Sequence, residues 1–506
     1  MNTDSTPAAP SAPSGGPEGA WGKWFPPRIG GVWGGRPPEG ILLILLVGVA
    51  FTAAQLLFVS PRMGLSWDET VYVSQVSGHA PAAWFDPARA RGIPLLVAPV
   101  TMLTSSVVAL RVYLPVASGL GLALALWTWR ALRPAWVLGL AGVMFGGLWV
   151  AQYYGAQAMP DMWSALGGLA AVGCFLRWAR ARNGAPAPAP APAQAPALAG
   201  LGVSVALMTL VRPGDAVYLA APLIVAAVVC WRGWVPAAVI VAGLLAGGAE
   251  WVIEAYARFG GVARRLREAG AEQGGFGFHF ALPDELRALN GPTLCRPCTI
   301  GVRDPELDLW WFLLPVLVAV GILAARHAGQ LASAMLPALL PAVCALCLAA
   351  QYLFMINYAA PRFLLPAYAL FAIPAADGLA FGITAAGVEL RPAVTAIVAC
   401  FLVAQLVTQH LALGHEVGGT VTFHDDYTRI AAELAERGVR PPCLIGGVQY
   451  IPIAFEAGCA SVGQAAPGEH AAVIVQSIGR PPSYARNWHV YRITGTTVLK
   501  VNAYIR

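Results

Sequence analysis

Apolar runs of about twenty residues recur along this chain, and no other feature restricts its fold so tightly. A helix of that length crosses a hydrocarbon core of about 30 Å. Lipid offers the backbone no hydrogen-bond partners, so only helices or a closed barrel can span it. The runs here are continuous, not alternating, which excludes the barrel. Spans are placed near 41–60, 112–129, 135–153, 161–178, 198–212, 215–231, 235–255, 309–325, 330–352, 362–383 and 391–411. Composition agrees: 57% of the 506 residues are hydrophobic and 11% charged, against roughly a quarter charged in a soluble domain. The expected fold is an all-α polytopic membrane protein of about 11 transmembrane helices.

With the N-terminus inside, the short inner loops hold Arg130, Arg133, Arg177, Arg180, Arg182, Arg232 and Arg326, as the positive-inside rule requires. Residues 1–40, rich in Pro, Gly, Ser and Ala, read as a disordered cytoplasmic segment. Residues 41–411 form the membrane domain, with outer loops at 61–111 and 257–308. The tract 184–197, "GAPAPAPAPAQAPA", reads as an extended inner linker. Residues 412–506 read as a small extracytoplasmic α/β domain: "YTRIAAELAERGV" has helical spacing, while "CLIGG", "AAVIVQSI", "WHVYRI" and "TVLKVNAYI" read as strands. The net charge of +6 comes from arginines scattered between spans, so nucleic acid is not an expected partner. Neither GxGxxG nor a Walker string is present to support nucleotide binding.

Acids are scarce, yet Asp68 and Glu69 stand side by side just beyond the first span. Ser66-Trp67-Asp68-Glu69 fits a capping box, with Ser66 as N-cap and Glu69 at the third helical position. On that reading the pair only starts a helix. A cap formed by Glu69 leaves Asp68 uncommitted, however, and a partly desolvated carboxylate near cations can serve as a general base. Arg89, Arg91 and Arg111 are the cations at hand. Such a grouping suits an anionic, phosphate-bearing leaving group and a hydroxyl acceptor.

Four strings then follow in order. They are "WDETVY" in the first outer loop, "RVYLPVASGL" opening the second span, "YYGAQAMPDMWSAL" around Asp161, and "NYAAPRFLLPAYAL" late in the chain. This layout resembles the GT-C superfamily of polyprenyl-phosphate-sugar-dependent glycosyltransferases, which includes aminoarabinose and protein O-mannosyl transferases. The resemblance implies a GT-C-like membrane fold and inverting transfer of a sugar from a polyprenyl-phosphate donor. The acceptor would be an envelope glycan, lipid or protein at the outer face of the plasma or inner membrane.

By the same resemblance Asp68 would take the acceptor proton, with Glu69 beside it in the catalytic group. Asp161 would orient the acceptor or a metal. Arg362 would help hold the lipid phosphate; Arg91 and Arg111, cations read from the sequence itself, are the further phosphate-binding candidates. Tyr72, Tyr153, Tyr358 and His279 are the substrate-groove candidates. A divalent metal is left open, since "RGIPLL" stands where aminoarabinose transferases carry a His-Pro-Pro string. The bland readings are a helix start for Asp161, a snorkelling side chain for Arg362 and interface anchors for the tyrosines. The rival function is a transporter or a flippase for lipid-linked sugar, but no internal repeat supports it.

Nine cysteines are present. Cys295 and Cys298, in "CRPC", and Cys443 and Cys459 are expected to form disulfides on an oxidising outer side.

Overall fold

The apolar runs fold into helices that bury each other's faces and leave their rims to lipid. The structure, a computed structural model, describes residues 37–183, 191–275, 277–327, 336–462, 473–477 and 483–506. Except for 37–40, which begin the first helix, the segment expected to be disordered lies outside the described residues.

The membrane helices are α1 (Pro37–Phe58), α4 (Val107–Trp127), α5 (Ala135–Gly146), α6 (Trp149–Gly155), α7 (Pro160–Asn183), α8 (Ala191–Val211), α9 (Pro213–Val225), α10 (Trp234–Arg258), α13 (Leu309–His327), α14 (Leu336–Phe354), α15 (Leu365–Ala385) and α16 (Arg391–Glu436). Among the described residues ten segments are long and apolar enough to cross a membrane, and α5 with α6 makes an eleventh as one bent span. Shorter helices α2 (Trp67–Ser74), α3 (Gly92–Thr101), α11 (Val262–Glu272) and α12 (Leu282–Ala288) shape the two loops between α1 and α4 and between α10 and α13. The helices α7 and α15 are the most enclosed, and α16 is largely exposed to the surroundings.

Three expectations are corrected. The run 135–153 is not one straight helix: α5 and α6 meet at 79°. At the break Gly147 leaves no room for a Cβ, which would lie 2.4 Å from Leu406. Side chains satisfy the backbone groups that the bend frees, as they must at membrane depth. Gln409 Oε1 accepts from Trp149 N at 3.0 Å, and Gln152 Nε2 donates to the Gly146 carbonyl. The linker tract is helical from Ala191 onward, because alanine is the best helix former; its residues 184–190 lie outside the described residues. The boundary placed at 411/412 falls inside α16, which continues unbroken to Glu436.

Beyond α16, strands β1 (Leu444–Gly447), β2 (Ala460–Ser461), β3 (Val473–Ser477), β4 (His489–Arg492) and β5 (Val501–Ile505) form one mixed sheet, and α17 (Tyr450–Glu456) connects β1 to β2. The strand order is β2-β1-β3-β5-β4, parallel on the β2-β1-β3 side and antiparallel where β5 pairs with β3 and β4. Ile430 and Leu434 of α16 pack on Ile445, Val475 and Ala503 of the sheet. The sheet unit touches the first loop where Tyr450 meets Trp67 edge to face at 5.0 Å. Cys295–Cys298 and Cys443–Cys459 are both bonded.

Candidate active site

At one end of the bundle, four span termini and the first loop bring carboxylates and guanidiniums together. Asp68 lies on the first turn of α2, Asp161 on the first turn of α7, Arg212 between α8 and α9, and Arg362 just before α15. Asp68 Oδ1 accepts from Arg89 Nη2 at 2.7 Å, and its Oδ2 from Arg362 Nη2 at 3.2 Å. Arg362 Nε also lies 3.6 Å from Asp161 Oδ2, while Arg212 donates to Asp161 Oδ1. Arg212 stands 3.5 Å from Asp215, whose carboxylate accepts from Ser164, Gln351 and Tyr352. The result is a continuous ladder: Asp68, Arg362, Asp161, Arg212, Asp215.

Exposure separates these groups by role. The Asp161 and Asp215 side chains are each 1% exposed, whereas Asp68 is 29% exposed. Burial pushes the Asp68 carboxyl up, but Arg89 and Arg362 outweigh it and hold it below its ordinary value. Arg212 lies over the rings of Tyr352 and Phe363 at 5.3 and 5.1 Å. Arg362 shares the Phe363 ring at 5.2 Å and faces Tyr154 at 5.8 Å. Aromatic walls of this kind limit the hydration of a guanidinium, whose own planar fork suits a bidentate oxyanion.

The neighbouring acid behaves differently. Glu69 Oε1 accepts from Arg111 Nη1 at 2.6 Å and from Ala158 N at 2.9 Å. Its Oε2 accepts from Arg111 Nη2 at 2.8 Å and from Ser66 N at 3.1 Å, the return half of the capping box. Arg111 also donates to the carbonyls of Met63, Gly64 and Ala156. Both side chains are within 1% of fully buried. Glu69 and Arg111 therefore form a lock that ties α2, α4 and the α6–α7 turn together, with no lone pair or N–H face left for substrate.

Arg91 is likewise committed elsewhere. It pairs with Glu254 of α10, donates to Gln75, and lies 3.9 Å above the Phe85 ring. Tyr72 is buried beneath the Arg89 guanidinium at 4.9 Å, beside the cluster. Tyr153 binds Thr420 of α16 at 2.6 Å, and Tyr358 packs between Arg296 and Phe363. The His279 backbone bonds the end of α14 at Phe354, so its segment follows that helix end rather than the ion-pair ladder.

Thus the structure gathers Asp68, Asp161 and Arg362, places Tyr72 beside them, and holds Arg91 and Arg111 in other pairs. Sequence reasoning missed Arg212 and its supports Asp215 and Tyr352. The signal available was the charged string "RPGD" between two apolar runs. Among the described residues no group of three or more His, Cys, Asp or Glu is placed to hold a metal ion. Each acid of the ladder faces a guanidinium, and a dication would have to displace it.

No protein-family model matches the sequence, and no curated protein matches it. Solved structures do. ArnT from Cupriavidus metallidurans bound to undecaprenyl phosphate superposes with a TM-score of 0.61 and 14% identity, over 92% of this chain and 98% of that one. The apo state of the same protein gives 0.58 at 12% identity, with coverage of 92% and 98%. The oligosaccharyltransferase AglB from Archaeoglobus fulgidus, in complex with an inhibitory peptide and a dolichol-phosphate, gives 0.55 at 11% identity. That match covers 87% of this chain and 69% of AglB. The chain therefore shares the membrane fold of ArnT and AglB.

Proposed function

We propose that this chain is a glycosyltransferase that moves a sugar from a polyprenyl-phosphate donor to an acceptor hydroxyl, with inversion at the anomeric carbon. One observation carries the reading: a partly exposed carboxylate, Asp68, shares Arg362 with the buried Asp161 at the mouth of a membrane bundle. The bound lipids of the two fold relatives, undecaprenyl phosphate in ArnT and dolichol-phosphate in AglB, support the donor class.

The chemistry follows from the charges. The acceptor oxygen attacks the anomeric carbon, its proton passes to the Asp68 carboxylate, and the glycosyl–phosphate C–O bond breaks. The lipid phosphate leaves with the electron pair and is stabilised by Arg362 and Arg212. At rest Asp68 is a weak base, because two guanidiniums favour its charged form. Donor phosphate draws Arg362 away, and Asp68 gains basicity only once the donor is in place. Asp161 anchors Arg362 and Arg212 and meets neither reactant. A donor with a long hydrocarbon tail requires a catalyst built in the membrane.

The site and the C-terminal sheet unit then face the outer side of the cell membrane. A reporter active only in that compartment, fused after Ile505, should be active; a silent fusion would place the site in the cytoplasm. Catalysis itself is tested with purified protein, a radiolabelled polyprenyl-phosphate sugar and an envelope extract as acceptor source. Label should move to the extract as lipid phosphate is released. Movement of intact donor across vesicles, without release, would instead make the protein a flippase.

A further inference from the structure

We propose that Arg265 is a positioning residue for this site: by clamping the backbone of residues 87–89, it holds the Arg89 guanidinium against Asp68. The role in catalysis rests on Asp68 as the base, while the clamp itself stands on separate geometry.

Arg265 lies one turn into α11, and its side chain is 0% exposed. The helix starts from Gly261 at φ +113°, a conformation that favours glycine, and this sharp entry turns α11 back over the end of α10. Its guanidinium faces the rings of Trp251 at 4.3 Å and Phe259 at 4.7 Å. A guanidinium so enclosed needs nearly all its N–H groups paired. Two of those pairings reach the first outer loop: Nε donates to the Pro87 carbonyl at 3.1 Å and Nη2 to the Arg89 carbonyl at 2.8 Å. The others close on α10, with Nη1 to the Trp251 carbonyl at 2.7 Å and Nη2 to Glu254 Oε2 at 2.9 Å.

The clamp is aimed at one residue. From the backbone it grips, the Arg89 side chain runs to Asp68 Oδ1, with Asp86 on its Nε and Tyr72 beneath it. Glu254 reinforces the grip by pairing with Arg91 two residues on, while Glu250 accepts from the Arg91 N–H at 3.4 Å. The loop between α10 and α13 therefore reaches the catalytic carboxylate through Arg89, and on its other side through Thr293, whose carbonyl accepts from Arg362 at 3.4 Å.

The charged and titratable groups around Asp68 are Arg89 and Arg362 in contact, with Arg212, Asp161, Asp86, Tyr72 and Tyr358 behind them. If Arg89 loses its register, Asp68 stays enclosed with one cation fewer and takes up its proton at higher pH. Infrared difference spectroscopy on the purified protein reads this directly, since the protonated carboxyl band of Asp68 is the one absent from Asp68→Asn. In Arg265→Gln the midpoint of that band should rise by about one pH unit or more, the usual effect of losing an adjacent opposite charge. Arg265→Lys keeps the charge but not the fork that spans two carbonyls. It should also raise the midpoint, and it decides the matter if the glutamine variant does not fold.

A midpoint unchanged in a folded variant overturns the proposal. So does an equal rise in Arg133→Gln, which breaks the similarly buried Arg133–Asp377 pair at the opposite end of the bundle and would reveal general loosening. Turnover keeps the two ideas apart. If Asp68→Asn still transfers sugar, the base assignment fails, and the infrared midpoint still decides whether Arg265 sets the state of Asp68.

Discussion

Asp68 and Glu69 are neighbours on one helical turn, yet they belong to two different regions of the molecule. Successive helical residues point about 100° apart, so Glu69 turns into the bundle and Asp68 toward its mouth. Glu69 meets a single guanidinium in two hydrogen bonds, plus two backbone amides, and sees no solvent. Asp68 divides itself between two guanidiniums from distant segments and keeps 29% of its side chain exposed. A saturated buried pair stabilises one geometry. A shared, half-open carboxylate can exchange partners when an anion arrives. The contrast separates scaffold from chemistry more sharply than residue type does.

The largest expected effect falls on the scaffold side. Glu69→Gln can still serve the cap, but it leaves Arg111 buried without its counter-ion. Breaking a buried pair in this way costs about 3–5 kcal/mol. The yield of folded protein and its thermal midpoint in detergent should drop steeply. A variant that folds like the parent would dissolve the distinction between the two acids.

Arg362→Gln comes next. It removes the cation shared by Asp68 and Asp161, and a charge-assisted hydrogen bond contributes about 1.5–3 kcal/mol. Binding of undecaprenyl phosphate, used as the probe, should weaken tenfold or more. Unaltered binding would remove Arg362 from the donor site.

A third effect, confined to a pH window, concerns Glu285 of α12, in the loop between α10 and α13 near Arg362. Burial pushes this carboxyl up to about 8, against a backbone hydrogen bond from Ala360 and the charge of Arg362. An acid with a raised value in the folded state binds its proton more tightly there than when unfolded. Its contribution to stability is therefore full below the ordinary value of 4.5 and is lost as pH rises toward 8. Glu285→Gln should flatten the dependence of the thermal midpoint on pH over that window, leaving the variant the more stable form at its alkaline end. Parallel curves would show that Glu285 does not titrate there.

Much of this molecule can be read from its sequence, and the unread parts share a cause. Long apolar runs announce spans whatever their neighbours do, so the bundle was legible. The bend at Gly146–Gly147 was not, because a glycine pair leaves hydropathy unchanged and the helix that crowds Gly147 through Leu406 lies far along the chain. Asp68 stood out as a carboxylate among aromatic and β-branched residues. The partner of Glu69 lies 42 residues away, and the partner of Asp161 lies 51. Pairings at that distance leave no local pattern, so a lock was read as a catalyst, and Arg212 was not singled out.

Turnover of Asp68→Asn, measured per mole of folded protein with a radiolabelled polyprenyl-phosphate sugar, tests the central claim most directly. Asparagine keeps the size of the side chain and removes the basic carboxylate. Folding and thermal midpoint should stay close to those of the parent, while transfer should fall by a factor on the order of a hundred or more, the scale of lost general-base help. Full turnover in Asp68→Asn would contradict the account and return Asp68 to the role of a helix start.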